Sequence, residues 1–173
     1  MTARSSNNGC EVTAIRECST KEVGYRLGAA VRSVARIGNI EMVQFILDRY
    51  DRDQQELRYN ALIEAVEHGQ DTMVSWLLDR GGFDPSIPTK GRRAYPIPVA
   101  VHCCKPETQR PVIVKMLLEH GADPNRIYPR ATRTPLQKAM HLNDRETATL
   151  LVKYGADTNP PSLCPASKSH RPA

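Results

Sequence analysis

An apolar stripe at helical spacing recurs four times along this chain, and that recurrence limits its fold more than any other feature. The stripes run from Met42 to Tyr50, Met73 to Gly81, Val112 to His120 and Ala148 to Tyr154. Each is preceded by a shorter apolar segment: Ala29 to Ile37, Ala61 to His68, Pro96 to His102 and Pro135 to Met140. Leu47, Leu78, Leu118 and Val152 occupy matching places, separated by 31, 40 and 34 residues. Val43, Ile46 and Leu47, and then Val74, Leu77 and Leu78, fall on one helical face. One helix pair cannot bury such a stripe by itself, whereas stacking on a neighbouring copy removes it from water. The pattern predicts a row of helix pairs.

The turns agree with that reading. Gly38 and Gly69 stand between the two segments of their copies, where a left-handed residue ends a helix without steric cost. Gly121 and Gly155 follow the second segments, and Asn143 replaces the turn glycine in the last copy. Thr134-Pro135 is a strong helix start: the threonine caps, and proline at the first turn lacks only a donor that would be orphaned anyway. The run Thr134-Pro135-Leu136-Gln137-Lys138-Ala139, followed by Gly155-Ala156-Asp157, resembles the ankyrin repeat, with Gln137 in place of the usual histidine. Tyr95-Pro96-Ile97 and Gly121-Ala122-Asp123-Pro124-Asn125 carry the same resemblance in the third copy.

The resemblance implies an all-α solenoid with short β-hairpin loops over residues 25–159, in four copies near 29–58, 59–91, 92–130 and 131–159. The third copy departs from the pattern by an insertion between its helices, over His102 to Pro111. The fourth has Thr147-Ala148 where other copies have an apolar pair, which reads as the more polar outer helix of a C-terminal cap. Residues 1–24 match no copy and read as an extension, either flexible or a capping helix. Residues 160–173, with four of the 13 prolines, read as a disordered tail.

Composition narrows the function classes. At 40% hydrophobic and 25% charged, the 173 residues suit a folded domain. No run approaches the ~18 apolar residues of a membrane helix, and the first residues lack the apolar core of a secretory signal. Five cysteines without regular spacing (Cys10, Cys18, Cys103, Cys104, Cys164) read as reduced thiols, and an intracellular location, cytoplasmic or nuclear, is expected. Neither hydrolase, zinc-protease, Walker nor dinucleotide motifs occur. A metal set would draw on His102, Cys103, Cys104 and His120, but adjacent cysteines without C-x-x-C spacing rarely form a tetrahedral site. No catalytic residue, metal or cofactor is assigned, and a non-enzymatic role is expected.

Charge is concentrated in two loops. Ser86 to Tyr95 carries Lys90, Arg92 and Arg93, and Asn125 to Thr134 carries Arg126, Arg130 and Arg133, with no acid in either. The loop at 51–58 is mixed. Six cations thus exceed the whole net charge of +5. Tyr95 and Tyr128 lie beside these arginines, and Tyr with Arg is the composition favoured at binding hot spots. Solvated loops with incidental charge are the plain alternative. As the resemblance implies, such loops and the first helices line a concave surface that holds proteins. The expected role is therefore a monomeric protein-interaction module whose fingers hold an acidic or phosphorylated segment. Inhibition or scaffolding of an enzyme is the alternative. Nucleic acid is disfavoured, because no groove-reading element is visible. The resemblance also raises hydroxylation of Asn125 or Asn159 (with Leu117 and Leu151 eight residues earlier), against the simpler role of holding a turn.

Overall fold

The helix starts show their chemistry best in the last pair. Thr134 Oγ1 accepts from the Gln137 amide at 3.2 Å, and Gln137 Oε1 accepts from the Thr134 amide at 3.0 Å, which closes a capping box around Pro135. Asp144 caps the next helix through the Thr147 amide at 3.0 Å. Between the paired helices the chain turns through left-handed residues, Gly38 at φ 80°, Gly69 at 67° and Asn143 at 56°. Asparagine tolerates that region through local hydrogen bonds.

The computed structural model describes residues 26–49, 54–80, 85–86, 94–127 and 132–159. The helices are α1 (residues 26–37), α2 (Ile40–Arg49), α3 (Gln54–Glu67), α4 (Asp71–Asp79), α5 (Pro96–Cys103), α6 (Arg110–Glu119), α7 (Pro135–His141) and α8 (Arg145–Lys153). A 3-10 turn, Glu107–Gln109, precedes α6. In the inner row α3 touches α5 and α5 touches α7, while α4, α6 and α8 follow one another in the outer row. Each inner helix packs on its own outer partner: α3 on α4, α5 on α6 and α7 on α8. The architecture is an all-α solenoid of ankyrin-like repeats, and none of the described residues forms a strand. The tips of the expected hairpins, at 87–93 and 128–131, lie outside the described residues, as do the extension and the tail.

The core is one continuous apolar seam between the rows. Val43 and Leu47 on α2, Met73 and Val74 on α4, Ile113 and Leu117 on α6, and Leu151 on α8 are all buried in it. Helix α5 is buried on every side from Pro96 to Val101, between α3, α6 and α7. No helix among the described residues is long and apolar enough to cross a membrane.

Two local readings need correction. Helix α3 begins at Gln54, so most of the mixed loop expected at 51–58 is helical. Leu57 is buried there, and that apolar anchor extends the helix backwards. Thr147 is fully buried too, its hydroxyl donating to Asp144 Oδ2 at 2.8 Å. It therefore does not supply the polar exterior of α8, which comes from Arg145, Glu146, Thr149 and Lys153. The inserted segment, though largely exposed, is tied down at Lys105. The Lys105 amide donates to the Glu67 carbonyl at 3.0 Å, before the cis Lys105-Pro106 bond, so the insertion folds onto the preceding pair. A Cβ on Gly69 would lie 2.6 Å from the Lys105 carbonyl oxygen, so that turn needs glycine for space as well as for φ.

Candidate functional site

Two of the basic-loop residues meet. Tyr95 caps α5 in an extended conformation, and its ring lies half-buried at the base of one loop. The guanidinium of Arg126, from the loop after α6, sits 5.2 Å from the centre of that ring. Arg126 also approaches Asp123 Oδ2 at 3.9 Å, a loose pair that leaves about half of its side chain exposed (50%). Arg133 is exposed just before the Thr134 cap. Lys90, Arg92, Arg93, Tyr128 and Arg130 lie outside the described residues.

The base of the second loop is held firmly. Asp123 Oδ1 accepts from the Asn125 amide at 2.9 Å, the local bond expected of an aspartate in a turn. Asn125 then reaches across to the next copy. Its Nδ2 donates to the Gly155 carbonyl at 3.1 Å, and its Oδ1 accepts from the Asp157 amide at 2.8 Å. Asp157 repeats the local turn with the Asn159 amide at 2.9 Å. Ser86 does for the first loop what Asn125 does for the second, donating to the Gly121 carbonyl at 3.2 Å. Arg126 thus follows a turn built by Asp123 and Asn125, and Ser86 ties the start of the first loop to the following copy. Only the recurrence of Asp-x-Asn at 123–125 and 157–159 hinted at this.

Two of the thiols, Cys103 and Cys104, are among the described residues. Cys104 is buried, with Sγ 3.8 Å from the Pro106 carbonyl, and burial pushes its thiol pKa up despite the nearby Arg110. Cys103 is exposed at the end of α5, yet partial burial and then Glu67 raise its pKa as well. Both therefore stay protonated at neutral pH, which withholds the nucleophilic thiolate. His102 is shifted down by burial and by Lys138, so it is neutral there. No group of three or more metal-ligating side chains converges among the described residues.

Elsewhere, a shallow cleft of about 430 Å³ lies on the outer row between α4 and α6, lined by Asp71, Ser75, Trp76, Asp79 and Met116. Its polar groups are already engaged. Arg80 covers Trp76 at 4.7 Å, and Asp79 accepts from Ser75 at 3.1 Å and faces His120 at 3.4 Å. Another charged pair is internal to the stack: Arg110 Nη1 donates to Asp144 Oδ2 at 2.9 Å, with both side chains largely buried. It joins the third pair to the fourth and offers nothing to a ligand.

No protein-family model matches this chain. Among curated proteins, a fowlpox virus (strain NVSL) chain named "Putative ankyrin repeat protein FPV014" is 33% identical over 93 residues. The match covers 54% of this chain and only 20% of that relative, so the chain spans a small part of the protein it resembles. Its name agrees with the helix-pair architecture described above. The chain is similar to ankyrin repeat proteins in sequence as it is in fold.

Proposed function

We propose that this chain is a non-catalytic protein-interaction module of four ankyrin-type repeats. It holds an acidic or phosphorylated protein segment on the loop ends of its second, third and fourth helix pairs. The observation that carries this reading is the contact of Arg126 with the Tyr95 ring, which couples the two basic loops at their bases. Arg92 and Arg93 are within three residues of Tyr95, and Tyr128 and Arg130 within four of Arg126, so the chain itself keeps these cations near that contact. Arginine suits this work because its planar fork matches a carboxylate or phosphate with two parallel hydrogen bonds. The tethering of both loop bases by Ser86 and Asn125 supports a preorganised surface, which lowers the ordering cost of binding.

The test is binding to an array of acidic and phosphorylated peptides at low and high salt, alongside neutral and basic controls. A variant with Lys90, Arg92, Arg93, Arg126, Arg130 and Arg133 changed to Gln accompanies the wild type. Retention that falls with salt and disappears in the variant is expected. Binding indifferent to both changes would sink the proposed site, and binding of random oligonucleotides at physiological salt would move the reading to nucleic acid.

A further inference from the structure

The first helix pair leaves open a face that is covered in each later pair. On the outer helices Met42, Met73, Ile113 and Thr147 share one position, separated by 31, 40 and 34 residues. Met73, Ile113 and Thr147 are fully buried, whereas Met42 is 46% exposed. Four residues further on, Leu77, Leu117 and Leu151 are buried while Ile46 is only half-buried. The inner helices agree: Ala65, Ala100 and Ala139 are fully buried where Val34 is half-buried. These positions therefore look back along the row, and none of the described residues lies in front of the first pair.

Charge follows the same rule. Arg49, Arg80 and His120 stand seven residues after Met42, Met73 and Ile113. Arg80 reaches back to Asp48 at 3.9 Å and His120 to Asp79 at 3.4 Å, each an acid on the preceding outer helix. The Arg49 side chain has no such acid and makes no ion pair or hydrogen bond among the described residues. Met42, Phe45, Ile46 and Arg49 are spaced i, i+3, i+4 and i+7, so they share one side of α2. Phe45 is 64% exposed there. Glu41 borders this side, exposed and equally unpaired among the described residues.

A second copy of the chain matches this surface. Glu41 and Arg49 each stand four residues from Phe45, about 6 Å along the helix axis. Where two α2 helices cross antiparallel at Phe45, Glu41 of each copy comes opposite Arg49 of the other. Met42, Phe45 and Ile46 of both copies then lie between the two charge pairs. Such a contact uses one patch twice and closes on itself. End-to-end stacking of copies fits less well, because Lys153 takes the place of Asp48 and Asp79 in the last pair. It would meet Arg49 with like charge.

We infer that the protein forms a two-fold dimer through the exposed side of α2, rather than the monomer expected from the sequence. The inference concerns the first helix pair and stands whether or not the basic loops bind anything.

Sedimentation equilibrium of the full chain across the micromolar range tests it, with circular dichroism to confirm that each variant is folded. A monomer–dimer equilibrium is expected for wild type, and Phe45→Asp should be monomeric with an unchanged helical signal. Glu41→Arg and Arg49→Glu each set like charges at both ends of the seam. Either should weaken the dimer roughly 10- to 100-fold, since two exposed pairs are reversed. An equimolar mixture of these two variants restores opposite charges at both ends and should recover most of the wild-type affinity. A folding defect cannot be rescued in that way. A wild type that stays monomeric overturns the inference, and so does a dimer that Phe45→Asp leaves intact. Growth beyond the dimer with concentration also overturns it, assigning the face to end-to-end stacking. Should Phe45→Asp fail to fold, the mixture decides: recovery upholds the dimer and its absence refutes it.

Discussion

Asp144→Ala is the substitution whose consequence the structure defines best. Asp144 does two jobs at once. Its Oδ1 caps α8 through the Thr147 amide, and its Oδ2 accepts from both Thr147 Oγ1 and Arg110 Nη1. The Arg110 side chain is only 6% exposed, and its other anionic neighbour, Glu107, stands 3.7 Å away on the surface. Loss of the cap costs about 1 kcal/mol. Leaving a buried guanidinium without its carboxylate costs about 3–5 kcal/mol, so the orphaned charge dominates. With partial relief from Glu107, the expected loss is roughly 4 kcal/mol, or about 15 °C in Tm for an array of this size.

Asp144→Asn separates the two terms, because asparagine caps as well as aspartate does. It should retain about 1 kcal/mol more stability than the alanine variant. The double variant Arg110→Met/Asp144→Leu should lie within ~2 kcal/mol of wild type, since apolar replacement of a buried pair is often neutral. The pH dependence follows from the same contacts. Burial raises the pKa of Asp144, but the hydrogen bonds from Arg110 and Thr147 outweigh it, and the folded value lies below the ordinary one. The pair's contribution is therefore fully present above the unfolded pKa of about 4 and is lost as pH falls through the lower folded value. Urea unfolding at neutral pH and across the acid range, followed by circular dichroism, measures all of this. If Asp144→Ala costs less than ~1 kcal/mol, the pair is effectively solvated and the reasoning fails.

Two glycine variants isolate space from conformation. Gly155 has φ 90° with nothing near its missing Cβ, so Gly155→Ala should cost only the left-handed penalty of about 1–2 kcal/mol. Gly69→Ala adds a backbone clash with Lys105 and should cost at least twice as much by urea titration; equal losses would mean the insertion does not seat on that turn. Asn125→Ala removes two bonds between neighbouring copies and should destabilise by about 1–2 kcal/mol, with faster hydrogen exchange at the Asp157 amide. Unaltered exchange there would show that the loop bases are not joined.

What the sequence made legible is what repeats. The stripes, the glycines at 38, 69, 121 and 155, and the Thr134-Pro135 start each follow from local rules that act within one helix or turn, and each stands where the spacing placed it. The contacts that span two copies were hidden for the same reason. Nothing near Arg110 in the sequence marks it as the buried partner of a residue 34 positions away, and it reads as one more charge in an inserted loop. Thr147 reads as a concession to solvent only where residue type alone stands for exposure, and it is fully buried. A hydroxyl satisfied by its own helix cap is as buriable as a methyl group. In the candidate site, charge and aromatic content mark the basic loops in the sequence, but the Asn125 side chain that braces the base of one of them is visible only with the neighbouring copy in place.

The polar clips between copies have a mechanical consequence. The second and third pairs are joined near their turns by Lys105 to Glu67 and near their loops by Ser86 to Gly121. The third and fourth are joined by Arg110 to Asp144 and by Asn125 to Gly155 and Asp157. Between the first and second, the described residues hold the Gln70 side chain on the Arg36 carbonyl at 3.1 Å and a 3.9 Å approach of Arg80 to Asp48. A stack clipped along both edges resists fanning as a book does when tied at spine and fore-edge. Bending or pulling the array should therefore leave the third and fourth pairs, held at turn and loop alike, to move together.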